Sequence, residues 1–389
     1  MSNKKIKILR IINRFNIGGP IYNATFLTRF LSDEFETLLI GGLPEKGEAD
    51  SLYILEEYGI NAILLPELKR NPNVISDTKA LKKIKEIITE FKPDIVHTHA
   101  SKAGAIGRKA AFDMNVPVVV HTFHGHVFNS YFGKAKSELF KLIERKLAQK
   151  STGIVAISDL QKKELVNTYK IASENKVNVI PLGFDLQKFN HNLSEKRKNI
   201  RKKFQISEDQ IAVAIIGRLA PVKNHSLFLK TVIKLKGKTR KKLVFFIVGD
   251  GELRAEITKK VNDLIKMDID IRMTSWIRDI SQFNAGMDII CLTSNNEGTP
   301  VSIIEAQASQ VPVVSTNVGG VTDVMIDNET GYIVPKNNAR IFADKLLILI
   351  ENEALRNEMG QKGWSFVKER FHFERLVKDM ENYYKELLA

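Results

Sequence analysis

The chain is short of cysteine, of acidic charge and of long apolar runs, and each shortage removes a class of protein. Cys291 is the one cysteine in 389 residues. No intramolecular disulfide can form, which suits a reducing compartment. No apolar stretch approaches the ~18 residues that mark a membrane-spanning helix. The opening segment runs from lysines into a short apolar stretch that stops at Asn13 and Arg14. No small-residue cleavage site follows, so no signal peptide is expected. There is no GxGxxG, which weakens a dinucleotide reading, and no HExxH. Acidic residues number 45 against 59 Lys+Arg, a formal net charge of +14. A basic chain can favour nucleic acid, an anionic membrane or a phosphorylated small molecule. The 43% hydrophobic and 27% charged content excludes disordered, collagenous and disulfide-scaffold classes. The length predicts two domains at about 100–200 residues each.

The charge excess is spread along the chain. Residues 1–190 carry 28 Lys+Arg and 20 Asp+Glu, and the remainder 31 and 25. A basic nucleic-acid arm is therefore not expected. One local cluster is distinctive. Between Lys134 and Lys150, the cations Lys134, Lys136, Lys141, Arg145, Lys146 and Lys150 accompany Leu139, Phe140, Leu142, Ile143 and Leu147 at helical spacing. This reads either as a packed helix with a solvated lysine face, or as a face for anionic lipid or a phosphorylated acceptor. The runs 196–203 and 234–242 read as solvated loops or helix faces.

Short β-branched runs alternate with longer amphipathic stretches throughout. Strands are predicted at 6–12, 37–40, 62–65, 95–99, 118–122, 153–157 and 177–180, then at 211–216, 243–248, 269–274, 288–292 and 313–315. A helix covers 77–91, with Leu81, Ile84, Ile87 and Ile88 on one face. Continuous apolar strands separated by helices mean parallel sheets covered on both faces. Twelve strands are too many for one doubly wound sheet, and the charged, strand-free stretch ending near Gln210 reads as a linker. The expected fold is α/β, with two Rossmann-like doubly wound parallel-sheet domains facing across a cleft. The expected division is 1–188 and 189–370. Ligands in such sheets bind beyond the carboxyl ends of the strands, so the loops after strands hold the chemistry.

Four such loops stand out. Asn13 to Pro20 places Gly18 and Gly19 at a helix start, where amides attract anions. Five of the eight histidines, His97, His99, His121, His124 and His126, fall within one stretch. His97 and His99 alternate on a strand and share a face. With one distant cysteine, a closed zinc site is not expected. His124 follows a strand, where an imidazole can hydrogen-bond a sugar hydroxyl or help move a proton. Arg218 and Lys223 bracket a turn that opens a helix, the makings of a diphosphate site. In the fourth loop, Glu297 sits ahead of a helix expected to start near Thr299, with Pro300 in its first turn and Glu305 two turns in. The amides there can bind phosphate, and the two carboxylates can accept hydrogen bonds from sugar hydroxyls. Asp268 and Asp270 match a metal-binding DxD, but at the start of a strand, the wrong sheet edge.

Together these segments resemble the retaining glycosyltransferases of family 4, which have the GT-B fold. The resemblance rests on NIGGP at 16–20, THASKAG at 98–104, HTFHGH at 121–126, AISD at 156–159, PLGFD at 181–185, GRLAPVKN at 217–224, VGDGE at 248–252, EGTPVSIIEAQA at 297–308, VSTNVGG at 314–320 and GYIVP at 331–335. It implies that Arg218 and Lys223 hold the donor diphosphate, that Glu297 with the backbone of Gly298, Thr299, Pro300 and Val301 grips the hexose and distal phosphate, and that Glu305 binds the ribose. Gly18 and Gly19 would approach the phosphates, and His124 would lie beside the transferred sugar. The resemblance also makes 1–188 the acceptor-side domain, with the C-terminal helix 371–389 packing back on it, and 189–370 the nucleotide-sugar-binding domain. Where many members have Phe-Gly, this chain has Thr299-Pro300. The implied activity is metal-independent transfer of a hexose or N-acetylhexosamine, with no cofactor, from a nucleoside diphosphate sugar, UDP-linked. The acceptor would be a cell-surface glycan or a polyprenyl-linked intermediate in polysaccharide biosynthesis. The enzyme would be cytoplasmic, peripheral on the inner face of the cell membrane through 134–150. Other readings are a sugar-nucleotide epimerase on the same fold, a non-catalytic sugar-binding subunit, and a basic nucleic-acid-binding protein, for which no recognition module is present.

Overall fold

β-Branched residues pack well on a pleated surface, and runs of them buried on both faces form the strands of two parallel sheets. The computed structural model describes residues 4–16, 18–45, 50–69, 71–125 and 134–389, with side chains from 137 onward in the last segment. His126, Ile17 and the side chains of Lys134 and Lys136 lie outside the described residues. The chain forms two units, Met1–Phe184 with Phe371–Ala389, and Asp185–Arg370.

The first unit holds β1 (Ile6–Arg14), β2 (Phe35–Gly42), β3 (Ile63–Leu64), β4 (Ile95–His99), β5 (Val118–Phe123), β6 (Gly153–Ala156) and β7 (Val177–Val179). Their order is β3-β2-β1-β4-β5-β6-β7, all parallel. The second holds β8 (Gln210–Ile216), β9 (Lys242–Val248), β10 (Ile271–Thr274), β11 (Ile289–Leu292), β12 (Val313–Thr316) and β13 (Gly331–Val334), in the order β10-β9-β8-β11-β12-β13, also parallel. The thirteenth strand corrects the expected twelve. Gly331 starts it at φ +155°, where a Cβ would lie 2.1 Å from the Val313 carbonyl. A Gly-led four-residue segment reads as a turn until β12 pairs with it.

The helix Phe373–Leu388 belongs to the first unit. Its Leu376, Val377, Met380, Tyr383 and Tyr384 are buried with Ile8, Ile95, Val118, Val120 and Val155. At Gly153 a Cβ would come 2.0 Å from the Tyr383 hydroxyl, so only glycine lets the helix lie on β6.

Three sequence readings need correction. The charged stretch read as a linker folds as helices Gln187–Asn190 and Leu193–Lys203 of the second unit. Within it, Arg201 is buried rather than solvated: it reaches Asp288 at 3.2 Å and the carbonyls of Ser207 and Gln210 at 2.5 and 2.7 Å. A count of charges cannot see one inward arginine. The helix Lys134–Lys150 packs through only part of the apolar face expected of it, Phe140 lying against Phe123, Ala148 and Ile154. It turns Glu144 inward onto buried Arg108, 2.6 Å away, and leaves Leu139, Leu142 and Ile143 at 57, 50 and 38% exposure.

Candidate active site

In the second unit, β8 ends at Ile216, and the chain continues from Gly217 through the turn Pro221–Lys223 into the helix His225–Leu235. Alternation buries Leu219 and leaves Arg218 exposed, with no side-chain partner among the described residues. Lys223 reaches across to the loop after β11, where its ammonium lies 2.6 Å from Glu297 Oε1. The Ser294 hydroxyl donates to the same oxygen at 2.5 Å. The two loops are also joined by backbone. The Asn295 amide donates to the Val222 carbonyl at 2.7 Å, and the Thr293 hydroxyl to the Lys223 carbonyl at 3.0 Å. Lys223 and Glu297 keep 25% and 10% of their side-chain surface open, so the pair is charged, fixed and reachable.

The loop after β12 supports Glu297 from below. At Gly319, φ +50°, a Cβ would fall 1.8 Å from the Glu297 carbonyl oxygen, and at Gly320 2.1 Å from that of Gly298. The Gly320 amide donates to the Glu297 carbonyl at 3.3 Å. These two glycines are required by contact, and so fix the segment Glu297–Pro300. The helix starts at Val301, with Pro300 at its N-cap and no side-chain cap, so its first amides carry no capping partner. Two expectations shift with it. Pro300 precedes the helix instead of sitting in its first turn, and Glu305 is on the second turn instead of two turns in. Proline's lost N–H costs nothing at the cap, which moves the start by two residues. The Glu305 carboxyl is pushed up to about 7 by burial, with Lys188 opposing.

In the first unit, Gly18 caps the helix Gly19–Arg29 directly after β1. A Cβ would meet nothing closer than 3.6 Å at Gly18 and 3.4 Å at Gly19. Neither glycine is demanded by packing, so the backbone there is open to approach. His124 follows β5, and its Nε2 lies 2.9 Å from His99 Nδ1. Burial holds the His124 imidazole down at about 3, so it works as a neutral hydrogen-bonding group. His97, His99 and His121 are also held well below their ordinary value by burial.

The tautomer of His97 follows from its partners. Arg10 only donates, and its Nη1 is 3.0 Å from His97 Nδ1, so Nδ1 accepts. The Tyr384 hydroxyl is 2.5 Å from the same nitrogen. The ring proton is therefore on Nε2, donated to the Thr122 hydroxyl at 2.7 Å. Sequence reading missed Arg10, Tyr384, Ser294 and the support role of Gly319 and Gly320. An arginine inside the apolar run of β1 is itself a signal, since a fully buried cation needs assigned partners. Asp270 lies just before β10, bound to Arg272 at 2.7 Å. Among the described residues no group of His, Cys, Asp and Glu is arranged to hold a metal ion.

Comparison with known proteins agrees with this layout. The family described as Glycosyl transferases group 1 matches residues 196–365, and Glycosyltransferase Family 4 matches residues 36–188. The chain belongs to the glycosyltransferases of the GT-B fold, family 4 type, and is an enzyme. It is 28% identical over 333 residues to the Escherichia coli UDP-Gal:alpha-D-GlcNAc-diphosphoundecaprenol alpha-1,3-galactosyltransferase, covering 85% of each chain. It is 29% identical over 343 residues to the capsular polysaccharide biosynthesis glycosyltransferase CapM of Staphylococcus aureus, covering 86% of this chain and 87% of that one. Its fold matches a Rickettsia africae glycosyltransferase with a TM-score of 0.81 at 23% identity, over 99% of both chains. It also matches the Anabaena HepE protein in complex with UDP, with a TM-score of 0.82 at 18% identity, over 98% of this chain and 100% of that one.

Proposed function

We propose that the enzyme moves a hexose or N-acetylhexosamine from a UDP-sugar to a lipid-linked or cell-surface glycan acceptor, retaining the anomeric configuration and using no metal. The observation that carries this reading is the Lys223–Glu297 pair at 2.6 Å, set between two strand-end loops beside exposed Arg218. The donor's C1–O bond breaks as the acceptor oxygen bonds C1 on the same face, and the acceptor proton leaves on the departing diphosphate. Arg218, Lys223 and the first amides of the helix Val301–Ala308 take up the developing phosphate charge, a role in which one lost donor typically costs ~10²–10³ in rate. Glu297 accepts hydrogen bonds from the sugar hydroxyls and Glu305 from the ribose. In the first unit, the open backbone at Gly18 and Gly19 receives the phosphates, and neutral His124 hydrogen-bonds the sugar. The names of the relatives, one using UDP-Gal and a diphosphoundecaprenol acceptor, one a capsular enzyme, support donor and acceptor class.

A panel of nucleotide sugars with mass detection tests the reading: one UDP-sugar should be turned over, unchanged by EDTA, and lost in Arg218→Ala. Near-normal turnover by Arg218→Ala would remove the diphosphate assignment, an inverted product the stereochemistry, and loss of activity in EDTA the metal independence. The same reading makes the enzyme cytoplasmic and gives the outward Leu139, Leu142 and Ile143, with exposed Lys146 beside them, an anionic membrane as partner. No described helix is long and apolar enough to cross a membrane. Co-sedimentation with phosphatidylglycerol vesicles should fall in Leu139→Ser/Leu142→Ser; equal binding would remove this contact.

A further inference from the structure

Two neighbouring strands of the first unit bring a pair of histidines together where they end. β4 ends at His99, paired in register with Thr122, and His124 follows β5 directly. His97, His99 and Thr122 share one face of the sheet, since side chains alternate along a strand. The contacts of His97 with Thr122 and of His99 with His124 repeat one diagonal step, each imidazole reaching two positions past its register partner. The inner end of the row is fixed by Arg10, the register partner of His97 on β1, and by Tyr384. The His97 and His99 rings lie 4.2 Å apart at 33°, and the His99 and His124 rings 5.1 Å apart at 31°.

His99 is fully buried. Its Nδ1 meets His124 Nε2 at 2.9 Å, and its Nε2 has no partner among the described residues. A buried polar atom left unpaired is costly, and a hydrocarbon ring would pack on His97 as well. Stability therefore does not call for a histidine here, whereas the bond to His124 does. Both rings are neutral, so one of the two facing nitrogens donates and the other accepts. With either assignment His124 Nε2 is taken. Its Nδ1 has no partner among the described residues and is the nitrogen left for a ligand. Whether it donates or accepts, a hydroxyl group matches it. An imidazole turns about χ2 between two broad wells, so without a partner at Nε2 the ring could offer either edge.

We infer that His99 is a positioning residue for the proposed reaction, holding the His124 ring so that Nδ1 is the nitrogen presented to the transferred sugar. The inference rests on the nucleotide-sugar reading above, in which His124 hydrogen-bonds that sugar.

A double-mutant cycle on turnover of the UDP-sugar that the donor panel identifies tests it. His99→Phe keeps a ring against His97 and removes the nitrogen. It should lower kcat, by up to ~10²-fold for a displaced reacting geometry. His99→Asn places an amide where Nδ1 lies and should recover most of the loss. In a His124→Ala background, His99→Phe should cost nothing further, because its effect runs through the missing ring. Equal losses in both backgrounds would mark a merely structural role and overturn the inference, as would a wild-type kcat in His99→Phe. Long-range 1H–15N spectra of protein labelled at histidine give a readout that packing alone does not move. His124 should show one tautomer in the wild type and a mixture in His99→Phe, with His97 in its Nε2–H form in both. An unchanged single tautomer of His124 in His99→Phe would also overturn the inference. If His99→Phe does not fold, His99→Gln, whose amide reaches the Nε2 position instead, takes its place with the same expectations. If His124→Ala transferred sugar at the wild-type rate, the inference would fall while the nucleotide-sugar reading stood. If the wild type turned over no nucleotide sugar, that reading would fall and the inference with it.

Discussion

The two units hold their polar groups by opposite means. In the first, Arg10, His97, His99, Thr122 and Tyr384 are fully buried or nearly so, and the imidazoles are neutral because burial makes the cation too costly. In the second, Lys223 and Glu297 form an ion pair that leaves part of their surface open. Burial in the first unit yields rigidity and a fixed tautomer. Partial exposure in the second yields fixed charge that a ligand can reach. Substitutions in the first, away from the His99–His124 pair, should therefore register as stability, and in the second as turnover.

The largest stability effect tests the buried side. Arg108→Met strands the Glu144 carboxylate, and breaking such a pair costs about 3–5 kcal/mol. Denaturant midpoints should show this, and an unchanged midpoint would break the contrast. On the exposed side, Lys223→Met should lower turnover about 10²–10³-fold, while shifting the midpoint less than Arg108→Met does. Gly319→Ala joins the two effects. Its Cβ cannot fit beside the Glu297 carbonyl, so it should displace that segment and lower turnover along with stability, by about 1–3 kcal/mol.

Acidity gives a smaller, sign-specific test. The buried histidines titrate lower in the folded chain than their ordinary 6.5. The unfolded chain then binds more protons below pH 6.5, so the first unit loses stability as pH falls through that value. Glu305 runs the other way. Its carboxyl is raised from 4.5 to about 7, so its contribution is full below pH 4.5 and is lost as pH rises through 7. Hydrogen exchange corrected for intrinsic rates should show β4 and β5 losing protection between pH 7.5 and 5.5. Glu305→Gln should flatten the dependence of β11 and the following helix between pH 4.5 and 7.

Much of this was legible in advance, and the exceptions have a common cause. The strands were readable because β-branched runs report their own burial, and the loops because glycine, proline and charge cluster where strands end. The GR…K and Glu-x7-Glu segments were assigned one by one. What escaped were contacts between distant residues. Arg10 looked like one more cation in a basic chain, and Leu139 and Leu142 looked like a packing face until Glu144 was found to take that place.

By itself, then, the sequence determined the α/β alternation, the two parallel sheets and the loops that carry the charged groups, because propensity and periodicity act over a few residues. Only the tertiary structure decided which of those groups meet. Lys223 and Glu297 are 74 positions apart, and His97 and Tyr384 are 287 apart. Strand order and helix docking bring them together, and no local pattern encodes that closure. The same closure decides which groups are buried and which stay in water, and hence why one unit carries neutral imidazoles and the other an open ion pair.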